Sequence, residues 1–124
     1  DTGHNIGGFQ YIVPQLLAQP CKQRRIVFGM VNDKDINGVL ALMPKEAIYY
    51  FAQASVARAL DSESLQALAA QHSLHGTTYP TVIAATQAAL AEADDDDFIY
   101  VGGSSFVVAD LLSDWESHST GLPA

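Results

Sequence analysis

The sequence predicts an α/β domain, with a parallel or mostly parallel sheet covered by helices on both faces. Three observations carry this. Short apolar, β-branched or aromatic runs alternate along the chain with segments of helical period, as β-α units require. The clearest run, IVFGMV at residues 26–31, is apolar without a break, as in a strand buried on both sides. Polar turn clusters, NDKD at residues 32–35 and GGSS at residues 102–105, follow two of the runs where strand should pass into helix. This is a Rossmann-like pattern, and right-handed crossovers are expected with it.

The elements follow in order. Phe9, Ile12, Val13, Leu16 and Leu17 fall on one helical face, giving a first helix over residues 8–18. Pro14 lies inside it and is expected to kink it or end its regular hydrogen bonding. After the strand at residues 26–31, Ile36, Val39, Leu40 and Met43 mark a second helix, closed by Pro44. IYYF at residues 48–51 is the second strand. A loop over residues 53–60 carries Arg58, and Asp61 or Ser62 can cap a third helix with Leu65, Leu68 and Ala69 inward.

Residues 77–79 form a short, weaker strand, and Pro80 suits the first position of a fourth helix marked by Val82, Thr86, Ala89, Leu90 and Ala93. Residues 94–97 are a turn, and FIYV at residues 98–101 is the last strand. The fifth helix places Val108, Leu111, Leu112 and Trp115 on one face. The domain is expected over residues 1–116, with residues 117–124 a frayed tail. DTGHN at residues 1–5 should itself follow a strand, so the first strand of the sheet is expected to be missing from this chain, a fragment of a larger protein.

Composition narrows the function. The 124 residues suit one domain with a proper core. They are 48% hydrophobic and 16% charged, against about 25% charged in ordinary soluble domains. Part of the surface is therefore expected to pack on something else. A net charge of −8 with six basic residues argues against a nucleic-acid or anionic-membrane partner. Cys21 is the only cysteine, so there is no disulfide framework and no cysteine metal site. With no membrane-spanning run and no leader, a cytoplasmic setting is expected.

In sheets of this kind ligands collect at the carboxyl ends of the strands. Three polar clusters fall there: Asp1, His4 and Asn5; residues 32–35; and residues 102–105. Each has a plain reading beside the functional one. Asp1, Asn5 and Ser104 suit helix capping, and Lys34 between two aspartates suits a solvated charge. Residues 94–97 read as an exposed acidic turn before a divalent-ion site, His72 and His75 as surface residues, and Met30 and Tyr49 as core. The chain lacks GxGxxG, GxxxxGK[ST] and HExxH motifs, so it encodes no complete nucleotide or metal site.

Taken together the clusters resemble a known family. DTGHN matches the D-x-[AG]-H-N turn of the carboxy-terminal domain of Mur-type ATP-dependent amide ligases. IVFGMVNDKDINGVL resembles the GM-x-x-DKD stretch of the folylpolyglutamate synthase/dihydrofolate synthase branch, and VGGSSFVVADLL is similar to its strand–Gly-Ser–helix ending. The similarity runs, in order and spacing, to about residue 112.

The resemblance implies a ligase. In the family, ATP phosphorylates a carboxylate of dihydropteroate or a folate, and the amino group of L-glutamate attacks the acyl phosphate. It implies an amino-terminal ATPase domain supplying the phosphate loop, the Mg2+ ligands and the folate pocket, and a carboxy-terminal domain closing over the cleft. Asp1, His4 and Asn5 would then meet ATP, Asp1 at a ribose hydroxyl. His4, Lys34 and Ser104 would meet glutamate, Lys34 through a ligand carboxylate. No catalytic residue and no metal ligand is expected in this chain, which should be inactive alone. Two features depart from the pattern: Ile6 stands after Asn5 where the family has proline, and VARALD surrounds Arg58 where a Pro-Arg-Gly is usual, leaving the role of Arg58 open. The alternatives are a Mur-type ligase acting on a cell-wall precursor, and a non-catalytic receiver-like or flavodoxin-like binding module. A receiver would want an acidic pair after its first strand, and the run at residues 26–31 reaches Asp33 only after Val31 and Asn32.

Overall fold

In the computed structural model the described residues are 5–32 and 36–119, with only the backbone described at residues 5–7, 105 and 115–119. Nine elements alternate. They are α1 (Asn5–Ala18), β1 (Arg24–Gly29), α2 (Ile36–Leu42), β2 (Ile48–Phe51), α3 (Ser62–Ala70), β3 (Gly76–Thr78), α4 (Val82–Glu92), β4 (Phe98–Gly103) and α5 (Ser105–Ser119). The four strands form one sheet in the order β3-β2-β1-β4, and every pairing is parallel. The β1–β4 register runs from Arg24 opposite Phe98 to Gly29 opposite Gly103.

Alternation along the strands divides the core. Ile26 and Phe28 of β1 and Tyr49 and Phe51 of β2 face one side, where they pack with Phe9 and Val13 of α1, Val39 and Leu40 of α2, and Leu65 and Ala69 of α3. Val27 and Tyr50 face the other side, against Val82, Ala85 and Ala89 of α4 and Val107 of α5. The sheet is thus covered on both faces, as the unbroken apolar strands require. Phe28, fully buried, meets the rings of Phe9 and Tyr49 edge-on at 6.0 and 6.4 Å. Tyr49 stacks on Phe51 at 5.6 Å and donates its hydroxyl to the Pro44 carbonyl at 2.6 Å. Burial pushes the Tyr49 phenol well above its ordinary range.

Several boundaries differ from the sequence reading. β1 starts at Arg24 and ends at Gly29 instead of covering residues 26–31. Its two leading arginines are both fastened. Arg24 donates to the carbonyls of Leu16, Leu17 and Gln19 at 2.8, 2.7 and 3.0 Å, closing the carboxyl end of α1. Arg25 pairs with Asp97 at 2.9 Å and reaches the Tyr50 hydroxyl at 2.8 Å. Beyond Gly29, Val31 leaves the ladder for an antiparallel bridge to Ala59. α1 continues through the exposed Pro14 to Ala18, held by its buried face of Phe9, Val13 and Leu16, while Leu17 stays exposed.

α4 begins at Val82 and not at Pro80, because Thr81 is the cap and accepts from the Ala84 N–H at 3.1 Å. Leu90 is exposed. On α5 the buried residue is Val107, with Phe106 and Leu111 beside it, whereas Val108 and Leu112 are exposed. Val107, packed in the core with α4, thus takes the inward place expected of Val108. No helix among the described residues is long and apolar enough to cross a membrane.

Candidate functional site

Strand order locates the place where a ligand would fit. From β1 the chain moves outward to β2 and β3, then returns so that β4 lies on the free side of β1. The helices change face with it: α1, α2 and α3 lie on one side and α4 and α5 on the other. The loops leaving β1 and β4 therefore diverge to opposite faces, which makes the carboxyl end of this strand pair the switch point where sheets of this kind take a ligand.

Gly29 and Gly103 are paired at the end of that strand pair. A Cβ on Gly29 would lie 2.7 Å from the Ala52 carbonyl oxygen and 3.0 Å from a Val107 methyl. Gly103 has φ +113°, and a Cβ there would collide with the Gly29 carbonyl oxygen. Glycine is thus required at Gly103 both by conformation and by space. The turn delivers Ser104, which is buried. Its N–H donates to the Gly29 carbonyl at 2.9 Å, and its Oγ accepts from the Phe106 N–H at 3.2 Å. Ser104 is therefore the cap of α5. The hydroxyl keeps one proton to donate.

Two more elements reach the same edge. α1 runs antiparallel to β1: its carboxyl end is closed by Arg24 at the start of the strand, and Phe9 packs on Phe28 near the strand's end. Its first residue, Asn5, therefore sits at the carboxyl edge. The loop after β2 is tied on both sides. Asn32 N–H donates to the Arg58 carbonyl at 2.6 Å and Leu60 N–H to the Met30 carbonyl at 2.9 Å. Ser55 donates its N–H and its hydroxyl to the two carboxylate oxygens of Asp110 on α5, at 2.6 and 2.7 Å.

Of the expected site residues, Ser104 and the backbone of Asn5 are brought to one edge. Asp1, His4 and Lys34 lie outside the described residues, as does the Asn5 side chain. Arg58, which the sequence left open, is tied through its backbone to Asn32, two residues before Lys34. Its side chain is exposed and makes no hydrogen bond or ion pair among the described residues. The other end of the sheet differs. There the Arg25 guanidinium is opposed by burial but held charged by its hydrogen bonds to Tyr50 and Asp97, which raise its pKa. Burial and the Glu92 hydrogen bond push the Tyr50 phenol up to about 12. Asp97, accepting from the Asp94 N–H and from Arg25, is held below the usual carboxylate range. Arg25 is thus occupied structurally, whereas the Arg58 side chain at the carboxyl edge has no such partner among the described residues. No group of three carboxylate, histidine or cysteine side chains among the described residues is arranged to hold a metal ion.

Comparison with known proteins places this arrangement. The family model described as the glutamate ligase domain of Mur ligases matches residues 1–105. The dihydrofolate synthase/folylpolyglutamate synthase of Escherichia coli (strain K12) is 31% identical over 124 residues, covering 98% of this chain, which spans only 28% of that relative. The structure of E. coli FolC in complex with DHPP and ADP superposes with a TM-score of 0.80 at 29% identity, over 97% of this chain and 28% of that one. A bifunctional folylpolyglutamate synthase/dihydrofolate synthase with Mn, AMPPNP and L-glutamate bound gives a TM-score of 0.74 at 29% identity, over 94% and 28%. The chain belongs to the Mur ligase family, as a glutamate ligase domain.

Proposed function

We propose that this chain is the carboxy-terminal domain of a cytoplasmic, ATP-dependent amide ligase that adds L-glutamate to dihydropteroate or a tetrahydrofolate. The larger amino-terminal part supplies the phosphate loop and the ligands for Mg2+. That division agrees with a chain spanning 28% of its relative's length. In the reaction the substrate carboxylate attacks the γ-phosphorus of ATP, ADP leaves, and the amino nitrogen of glutamate displaces phosphate from the acyl carbon and loses a proton. Mg2+, when bound, offsets the charge on the transferring phosphoryl group.

Asp1 accepts from a ribose hydroxyl, His4 and Asn5 line the nucleotide side, and His4 also borders glutamate. Lys34 and the Ser104 hydroxyl take the amino acid, and Arg58 provides a second cation for its carboxylates. The observation that carries this reading is the divergence of the β1 and β4 loops at the carboxyl edge, where Ser104 and the Arg58 segment tethered to Asn32 lie.

The test is ADP release by the full-length protein with ATP, Mg2+, L-glutamate and dihydropteroate or tetrahydrofolate. Release that requires both the pterin substrate and glutamate is expected, with none from the 124-residue chain alone. Turnover by the isolated chain, or release by the full-length protein indifferent to glutamate, contradicts the proposal.

A further inference from the structure

The contact between Ser55 and Asp110 joins two elements of the carboxyl edge that are 55 residues apart in sequence. Both carboxylate oxygens are engaged, one by a backbone N–H at 2.6 Å and one by a hydroxyl at 2.7 Å. Such a fork fixes orientation as well as distance. It is not a core contact: Ser55 is exposed and Asp110 half-buried. The loop it holds carries Arg58, and the far side of that loop is bound to Met30 and Asn32 at the exit of β1. The carboxylate thus links α5, which begins just after Ser104, to the segment that leads to Lys34.

We infer that Asp110 is a positioning residue for the amino-acid half of the reaction. Its carboxylate fixes Ser55 and, through the loop, the segment that carries Arg58. It does not touch the substrate. The inference rests on the proposed ligase reading and adds a residue to it. A geometric fault near an ångström at a binding group can cost up to about a hundredfold in rate. An exposed tether does little for global stability, since surface charge pairs contribute little. Loss of the clamp should therefore be read in substrate selectivity.

The experiment compares wild-type, Asp110→Ala, Asp110→Glu and Ser55→Ala forms of the full-length protein. For Asp110→Ala, KM for glutamate should rise on the order of tenfold while KM for ATP stays within about twofold. Asp110→Glu, which keeps the carboxylate, should recover part of the loss. Ser55→Ala should have a smaller effect, because the N–H bond remains, and should add nothing in the Asp110→Ala background. Amide hydrogens over residues 53–60 should exchange faster in Asp110→Ala, while those of β1 and β2 keep their protection. Faster exchange with an unchanged glutamate KM refutes the positioning role and leaves the ligase reading intact. Equal shifts for ATP and glutamate, or loss of protection throughout the sheet, refute it as well. A wild-type protein without glutamate-dependent ADP release refutes the ligase reading, and this inference with it.

Discussion

Replacing Gly103 by alanine should destabilise the domain, whereas the same change at Gly8 should stabilise it. Gly103 holds φ +113° at the end of β4, and an added Cβ would overlap the Gly29 carbonyl oxygen. A non-glycine residue in such a region costs about 1–3 kcal/mol. The displaced carbonyl accepts the Ser104 N–H at 2.9 Å, a bond with a net worth of about 0.5–1.5 kcal/mol. The two together span roughly 1.5–4.5 kcal/mol, centred on about 2–4. At about 4 °C per kcal/mol for a domain of this size, the thermal midpoint should fall by roughly 8–16 °C. Gly8 lies inside α1 with nothing within 4 Å of its virtual Cβ. Alanine there should add about 0.5–1 kcal/mol through helix propensity, a rise of a few degrees. Thermal unfolding of both variants followed by far-ultraviolet circular dichroism reads the contrast. A Gly103→Ala midpoint within about 2 °C of wild type would refute the argument that this turn requires glycine.

Two further changes probe the packing. Tyr49→Phe removes the donor to the buried Pro44 carbonyl, so chemical denaturation should show a loss of about 1–3 kcal/mol, and an unchanged midpoint would mean that this carbonyl finds another donor. Asp97 has its folded pKa depressed, by the Asp94 N–H first and by Arg25. It therefore contributes stability that is present above its unfolded value near 4 and is lost as pH falls through the lower folded value. The wild-type thermal midpoint should be flat down to about pH 5 and then fall, and Asp97→Asn should fall less steeply below about pH 4. An identical acid limb in the two proteins would show that the Arg25–Asp97 pair plays no part in acid unfolding.

The sheet and its alternation were legible because β1, β2 and β4 are compact apolar runs and each helix carries a recurring buried face. Hidden from sequence were the contacts that join distant segments. Arg24 and Arg25 fell outside the strand expected at residues 26–31, because nothing local shows that one closes α1 and the other meets Asp97 across 72 residues. The inward face of α5 was misread by one residue, since Val107 and Val108 are equally apolar and only the Ser104 cap selects between them. Ser104 was visible both as a cap and as a ligand candidate, and the structure makes the cap a fact without removing the hydroxyl proton. The tether of Arg58 to Asn32 and the clamp of Ser55 on Asp110 left no local signal, because each depends on the order in which the strands pair. DTGHN and NDKD were visible as polar turns, and of them the described residues include Asn5 and Asn32.

The measurement closest to the central claim is a paired one on the full-length protein: KM for ATP and for L-glutamate in Asp1→Ala and in Lys34→Ala. Asp1→Ala should weaken ATP use by on the order of 1.5–3 kcal/mol, the worth of a hydrogen bond to a charged group, or about tenfold or more. Its glutamate requirement should change far less. Lys34→Ala should do the reverse, raising KM for glutamate far more than KM for ATP, with a thermal midpoint close to wild type, as a role toward the ligand requires. Lys34→Arg should keep part of the activity, since charge survives while reach and geometry differ. The account predicts this crossed pattern, with the nucleotide on one side of the edge and the amino acid on the other. Parallel shifts of both constants in both variants, or a Lys34→Ala protein that fails to fold, would contradict it.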